Sequence, residues 1–264
     1  MSFPYFAYGS NLWPPQVRAR CPSARAAAAA ALEGWAVVYD KPSLDGSSKL
    51  NIAESAGSEV MGVVYEVADD ERPLLDSAEH RYDPIYVSVA TEGGRVVEAL
   101  TYQWAGPPHD ALPFDWYVAT ARAGAAHHGL PERCLSSLSS DVEVDPIAPG
   151  VRPVPEAGLP ALAEMLSGPS AGGGRARLGD SYRRARRAAG RTAQTSYWRQ
   201  GDAGVLMIDA AVGEIAVFAR PGAPASQMIE WAQRRLGGRG EVVCFQPLPG
   251  SPSQRRATKG VVAL

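Results

Sequence analysis

Two stretches of this 264-residue chain hold residue types that could do chemistry. In the first, Tyr5-Phe6-Ala7-Tyr8 runs straight into Gly9-Ser10-Asn11. A strand that breaks at Gly9 would turn the backbone N–H groups of Gly9, Ser10 and Asn11 outward. Successive N–H groups of that kind can cradle an anion or a developing oxyanion. The same three residues also serve merely to turn a corner after a first strand. The second stretch is Leu75-Asp76-Ser77-Ala78-Glu79, at the end of a helical segment that opens on Asp69, Asp70 and Glu71. A carboxylate at a helix C-terminus faces the negative end of the dipole, which suits a group that must take and return a proton. A solvated surface glutamate has the same local sequence.

Other candidates carry less. His127 and His128 are adjacent rather than spaced i, i+4, so no metal pair is expected and a solvated helix end is the better description. His80 is expected to be an exposed neighbour of Glu79, and His109 lies in a proline-rich loop. Tyr82 and Tyr86 read as strand residues facing the core. Cys21, Cys134 and Cys244 are widely spaced with no CxxC pair, the pattern of reduced, structural thiols and a cytoplasmic location. Arg183, Arg184, Arg186 and Arg187 could meet phosphate or nucleic acid, but no aromatic residues interleave with them. A helix face turned toward an acidic surface is the preferred reading, and nucleic acid is not expected.

Taken together, Tyr5 to Leu12, Gly62-Val63-Val64-Tyr65, the LDSAE segment and Tyr102 resemble the γ-glutamylcyclotransferase family over about the first 145 residues. The resemblance implies an α+β fold built on a small mixed β-barrel with helices. It also implies a substrate cradle at Tyr5, Phe6, Ala7, Tyr8, Gly9, Ser10 and Asn11, and Glu79 as the catalytic acid/base. A substrate-contacting tyrosine precedes a Gly-Leu-Pro by twelve residues in that family; Gly129-Leu130-Pro131 puts it at Tyr117. Many members have glycine after the catalytic glutamate where this chain has His80. Members devoted to glutathione usually carry leucine where this chain has Asn11. That points to other branches, which act on γ-glutamyl amino acids or amines or remove a γ-glutamyl protecting group in antibiotic biosynthesis.

The chemistry so implied needs no cofactor and no metal. The substrate's own α-amine attacks its γ-carbonyl, closes a five-membered lactam and expels an amine, giving 5-oxoproline. The protein has to fold the substrate, move a proton and support the oxyanion. Holding the attack conformer can draw on roughly 7–11 kcal/mol in favourable intramolecular cases, and a well-placed oxyanion donor on about 3–4 kcal/mol. One carboxylate can serve as base and then as acid.

The elements that must position these groups can be read in order. Pro14 and Pro15 open a short helix to Arg20. Trp35 to Tyr39, Lys49 to Glu54 and Val60 to Val67 read as strands, with a loop over 41–48. A helix over Glu71 to Glu79 is capped by Asp69 or Asp70. Tyr86 to Thr91 and Arg95 to Trp104 flank Gly93-Gly94 as a hairpin. A helix from Phe114 to His128 ends at Gly129, and a shorter one runs to Leu138. Five prolines across 146–160 mark a linker, extended through a short helix at 159–166 and the Ser167 to Gly174 run to residue 174. The segment 175–264 then reads as a second small α+β domain: an arginine-rich helix over 180–191, strands at 204–210 and 214–219, a helix at 225–236 and a strand at 241–246.

Bulk properties agree with two modest domains. No apolar run of about 18 residues exists, so no membrane span is expected, and no cleavage pattern completes a signal peptide around Ala26 to Ala31. The net charge of −2 hides an asymmetry: residues 1–150 carry 10 Lys+Arg against 20 Asp+Glu, and residues 151–264 carry 16 against 8. An acidic first half would raise the local concentration of cationic substrates such as γ-glutamyl polyamines. The expected partner is therefore a small γ-glutamyl compound, cationic on this electrostatic ground. Two other classes are a non-catalytic binding module of the same fold and an anion-binding protein acting through its basic half.

Overall fold

The computed structural model describes residues 1–162, 195–210, 213–220, 222–223, 225–238 and 240–247, the last five by backbone alone. They form two compact units that meet in sequence between Val144 and Asp145. The arginine-rich helix expected over 180–191, with Arg183, Arg184, Arg186 and Arg187, lies outside the described residues, as does the side chain of Cys244.

The first unit is a closed five-stranded barrel in the order β1-β3-β2-β4-β5. Strand β1 (Ser2–Ala7) pairs antiparallel with the end of β3 (Ser48–Ala68), Ser2 facing Ala68 and Ala7 facing Val63. It closes the barrel by pairing parallel with β5 (Val96–Gln103) at Tyr5 and Leu100. Where β1 crosses β3, Gly62 is required: a Cβ there would lie 2.4 Å from the Ala7 carbonyl and 2.6 Å from the Phe6 ring.

Strands β2 (Arg25–Pro42) and β3 form one long hairpin, interrupted by register shifts near Ala26, Glu33 and Tyr39. The sequence suggested shorter, separate strands. The six alanines from Ala26 have weak β-propensity, but here they are held by pairing to Tyr65, Val64, Val63 and Met61, and tertiary context wins. Strand β4 (Asp83–Thr91) and β5 make the expected hairpin around Gly93-Gly94.

Four short helices decorate this barrel. Helix α1 (Pro14–Arg20) follows a 3-10 turn over Ser10–Leu12. Helix α2 (Arg72–Ala78) follows a 3-10 turn over Asp69–Glu71, and no side chain caps it; Glu71 instead accepts the backbone N–H and hydroxyl of Ser23. Helices α3 (Asp115–His127) and α4 (Glu132–Ser137) complete the set. Gly124 lets α3 lie against the Ser10–Leu12 turn, because a Cβ would sit 2.3 Å from the Trp13 nitrogen and 2.4 Å from the Leu12 carbonyl carbon.

The second unit is a five-stranded sheet in the order β10-β9-β8-β7-β6. Strands β6 (Val151–Pro153), β7 (Thr195–Gln200), β8 (Gly204–Asp209) and β9 (Glu214–Ala219) pair antiparallel. Helix α5 (Ala225–Arg235) then leads to β10 (Glu241–Pro247), parallel to β9. The strands at 204–209 and 214–219, the helix and β10 are as expected. β6 falls within the stretch expected as linker; Val151 and Pro153 are buried against the rest of the sheet. Leu162, Tyr197, Val205, Ala216 and Phe218 form one cluster of this unit's core, and α5 buries Met228, Trp231 and Ala232.

Candidate active site

Strand β1 buries Tyr5, Phe6 and Ala7 and ends at Ala7, two residues before Gly9, close to where its sequence suggests. The bonds of the 3-10 turn begin with Leu12 N–H to Gly9 O (2.9 Å) and Trp13 N–H to Ser10 O (3.2 Å). The N–H groups of Ser10 and Asn11 are therefore left over at the open end of the turn, as at any helix N-terminus. Phe6 and Ala7 are fully packed and act as wall rather than as contact surface.

Glu79 is the C-cap of α2, its N–H bonded to Leu75 O at 2.9 Å. Its side chain reaches the turn of the first strand. Oε1 accepts the Asn11 amide at 2.8 Å and a hydrogen bond from Arg20. Oε2 has no hydrogen-bond partner among the described residues, which leaves one oxygen fixed and the other available. Asn11, only 3 % exposed, also donates to the Tyr5 hydroxyl at 2.7 Å and accepts from Arg20 at 2.9 Å. The asparagine side chain thus ties β1, α1 and α2 together at the carboxylate.

Arg20 was not singled out in the sequence. It occupies the last turn of α1, where a cation suits the helix dipole, and a Pro-Pro-initiated helix of seven residues sets its direction. The signal available beforehand was weak: one arginine among many at a helix end. Burial opposes its charge, yet Glu79 and the surrounding tyrosines hold its pKa above the ordinary value.

Tyrosines line the rest of the site. The Tyr117 hydroxyl accepts from Leu50 N–H at 3.1 Å and stands beside Gly9. Tyr8 donates to the Tyr102 carbonyl at 2.6 Å, and Tyr102 donates to Asp76 at 2.5 Å. Burial, reinforced by the Glu79 charge, pushes Tyr5 and Tyr8 well above the usual phenol range, so both are neutral hydrogen-bonding groups. Tyr82 belongs with them. It lies in the turn after Glu79, before β4 begins, and donates to Leu50 O at 2.6 Å. It is therefore a wall of the site rather than a core strand residue, whereas Tyr86 is 64 % exposed.

The turn that carries Glu79 into β4 has a left-handed residue, and it is not His80. Arg81 has φ of 72°, the only positive φ among non-glycine described residues. For an L-residue that conformation costs about 1–2 kcal/mol, and strain of this kind collects at functional sites. Tyr82 N–H returns to Glu79 O at 3.0 Å and fixes the loop.

The expectation for the histidine pair is corrected in part. His128 is not a solvated helix end: its ring nitrogen lies 2.8 Å from the Tyr65 hydroxyl and 3.0 Å from Leu12 O, pinning the turn from behind. Burial and then the neighbouring His127 lower its pKa. Burial pushes the Cys21 thiol up to about 12 and the Cys134 thiol up to about 11, so neither is a thiolate at neutral pH. Among the described residues no three His, Cys, Asp or Glu side chains gather as metal ligands.

Known proteins match this first unit. The γ-glutamylcyclotransferase of Bos taurus is 32% identical over 148 residues, 53% of this chain and 78% of that protein. The chain belongs to the γ-glutamylcyclotransferase family. The family model described as gamma-glutamyl cyclotransferase, AIG2-like, matches residues 5–118. A human γ-glutamylcyclotransferase is 32% identical over 139 residues, 49% of this chain and 73% of that one. A solved structure of a γ-glutamyl cyclotransferase superposes with a TM-score of 0.51 at 29% identity, over 54% of this chain and 90% of that one. This family member is accordingly an enzyme of the cyclotransferase type, with the barrel fold that its first strand and LDSAE segment imply.

Proposed function

We propose that the protein cyclises a γ-glutamyl amine or γ-glutamyl amino acid to 5-oxoproline and frees the amine, with Glu79 as the acid/base. The observation that carries this is the Glu79 carboxylate, held through one oxygen by Asn11 and Arg20 with the other unbonded, beside the open end of the Ser10–Leu12 turn. Oε2 takes a proton from the substrate α-amine as its nitrogen bonds to the γ-carbonyl carbon. The oxyanion that forms is met by the Ser10 and Asn11 N–H groups. When the tetrahedral centre collapses, the bond to the leaving nitrogen breaks and Oε2 returns the proton to it. Tyr5, Tyr8 and Tyr117 shape the recess and keep it poor in water, which strengthens each of these electrostatic contacts.

Asn11 supports a substrate other than glutathione, and removal of a γ-glutamyl protecting group in natural-product biosynthesis is one form of the same chemistry. The acidic balance of the N-terminal half favours a cationic leaving amine at long range, whereas the cations closest to Glu79 weigh the other way.

Mass spectrometry of a γ-glutamyl panel, scored for 5-oxoproline, tests the reading. Glu79→Gln is expected to keep the fold and lose about two to four decades of turnover. Near-normal turnover by a folded Glu79→Gln protein would remove the carboxylate from the mechanism.

A further inference from the structure

Strand β2 carries a lysine that the proposed chemistry does not use. Lys41 is only 8 % exposed, and its ammonium lies 4.6 Å from the centre of the Tyr82 ring. Among the described residues its ammonium has no hydrogen bond and no ion pair. Across the ladder it faces Lys49, and like charges directly opposite are unfavourable. Lys49 is accommodated by Asp45 and Ser47, both at 2.7 Å, and by the rings of Trp116 and Tyr117. The carboxylates whose fields reach Lys41, Glu79 and Asp45, are each bonded to another cation, Arg20 and Lys49. Burial accordingly lowers the Lys41 pKa, with Glu79 opposing. A buried cation is normally paired; this one has an aromatic face and, among the described residues, no anion bonded to it.

Resting on the cyclotransferase reading above, we infer that Lys41 selects substrates whose leaving amine bears a carboxylate, which it binds as a direct ion pair. The position favours the leaving group over the glutamyl head. Tyr117 and Tyr82 both bond Leu50, and the Lys41 ammonium packs on the Tyr82 ring. The Lys41 ammonium bonds neither Glu79 nor a residue of the Tyr5–Asn11 cradle, where the γ-carbonyl and the folded-back α-amine must meet. The leaving group, which projects away from that centre, is what can reach it. The local field at the site thus opposes the acidic average of the domain, and within a few ångströms the local charge decides.

The test compares γ-glutamyl-alanine with γ-glutamyl-alaninamide, which differ in the charge of the leaving group alone. Wild type should prefer the acid, and Lys41→Met should lower the acid-to-amide ratio of kcat/KM by roughly 10–100-fold, mainly through KM. Lys41→Arg should recover part of the ratio. Methionine keeps the packing on Tyr82 without the charge, so the Lys41→Met melting temperature should hold or rise. Calorimetric binding of both compounds to Glu79→Gln and to Glu79→Gln/Lys41→Met gives the same ratio without turnover. It separates the two ideas: no 5-oxoproline from wild type sinks the cyclotransferase reading, and the binding ratio still judges Lys41. An acid-to-amide ratio unchanged by Lys41→Met overturns the inference. So does a parallel loss on both compounds, which would mark a structural role or contact with the glutamyl carboxylate.

Discussion

Removing Arg20 should separate its structural work from its work on Glu79. The Arg20 and Glu79 side chains are 22% and 14% exposed, so the pair is mostly out of water. Breaking a fully buried pair by deleting one partner costs about 3–5 kcal/mol. Here Asn11 still donates to Glu79 Oε1, and both groups keep some solvent. A discounted cost of about 1–3 kcal/mol follows for Arg20→Met, or a loss of roughly 3–10 °C in melting temperature. Glu79→Gln strands the guanidinium in the same recess and should cost about as much. The double variant should cost less than the sum, with a coupling of about 1–2 kcal/mol in a urea-melt cycle. In activity, Arg20→Met frees the carboxylate to rotate, so kcat should fall by roughly 10–100-fold while KM changes little. Coupling below about 0.3 kcal/mol, the usual additivity error, together with an unchanged kcat, would refute the view that Arg20 positions Glu79.

Two further outcomes follow from the supports behind the turn. Because burial lowers the His128 pKa, the unfolded chain binds its proton first as pH falls. The stability that neutral His128 allows is complete above about pH 6.5 and declines below it. The difference in melting temperature between wild type and His128→Phe should therefore shift against wild type from pH 7 to pH 5, and a flat difference would contradict the burial argument. Gly124→Ala places a methyl into the Leu12–Trp13 backbone. It should cost about 1–3 kcal/mol and lower kcat by moving the cradle; an alanine variant with wild-type melting and rate would mean that α3 does not set the turn.

How far the sequence could be read depends on the range of the interaction concerned. Gly93-Gly94, Gly129 before Pro131 and the acidic start before α2 are local instructions, and the hairpin, the end of α3 and the placement of Glu79 at a helix terminus follow from them. The alanine run of β2 has no local instruction for a strand; it becomes one because Val63, Val64 and Tyr65 lie alongside it. β6 is similar: a proline-rich stretch looks like a linker until the strand at Thr195–Gln200 pairs with it.

The site divides along the same line. Tyr5 to Asn11, Glu79 and Tyr117 stand out by motif, and the structure brings the Asn11 amide and Glu79 into direct contact across 68 residues of sequence. Arg20, Tyr82, His128 and Lys41 do not stand out, because each earns its place from a partner distant in sequence. Arg20 matters through Glu79, Tyr82 and Lys41 through Leu50 and each other, His128 through Leu12 and Tyr65. Motif residues define a chemistry that the family shares. The residues set by long-range packing decide which carboxylate oxygen is free and what charge packs on Tyr82. Differences in substrate choice among cyclotransferases of this fold should therefore be sought at positions like Lys41, on the β2–β3 ladder, rather than in the cradle itself.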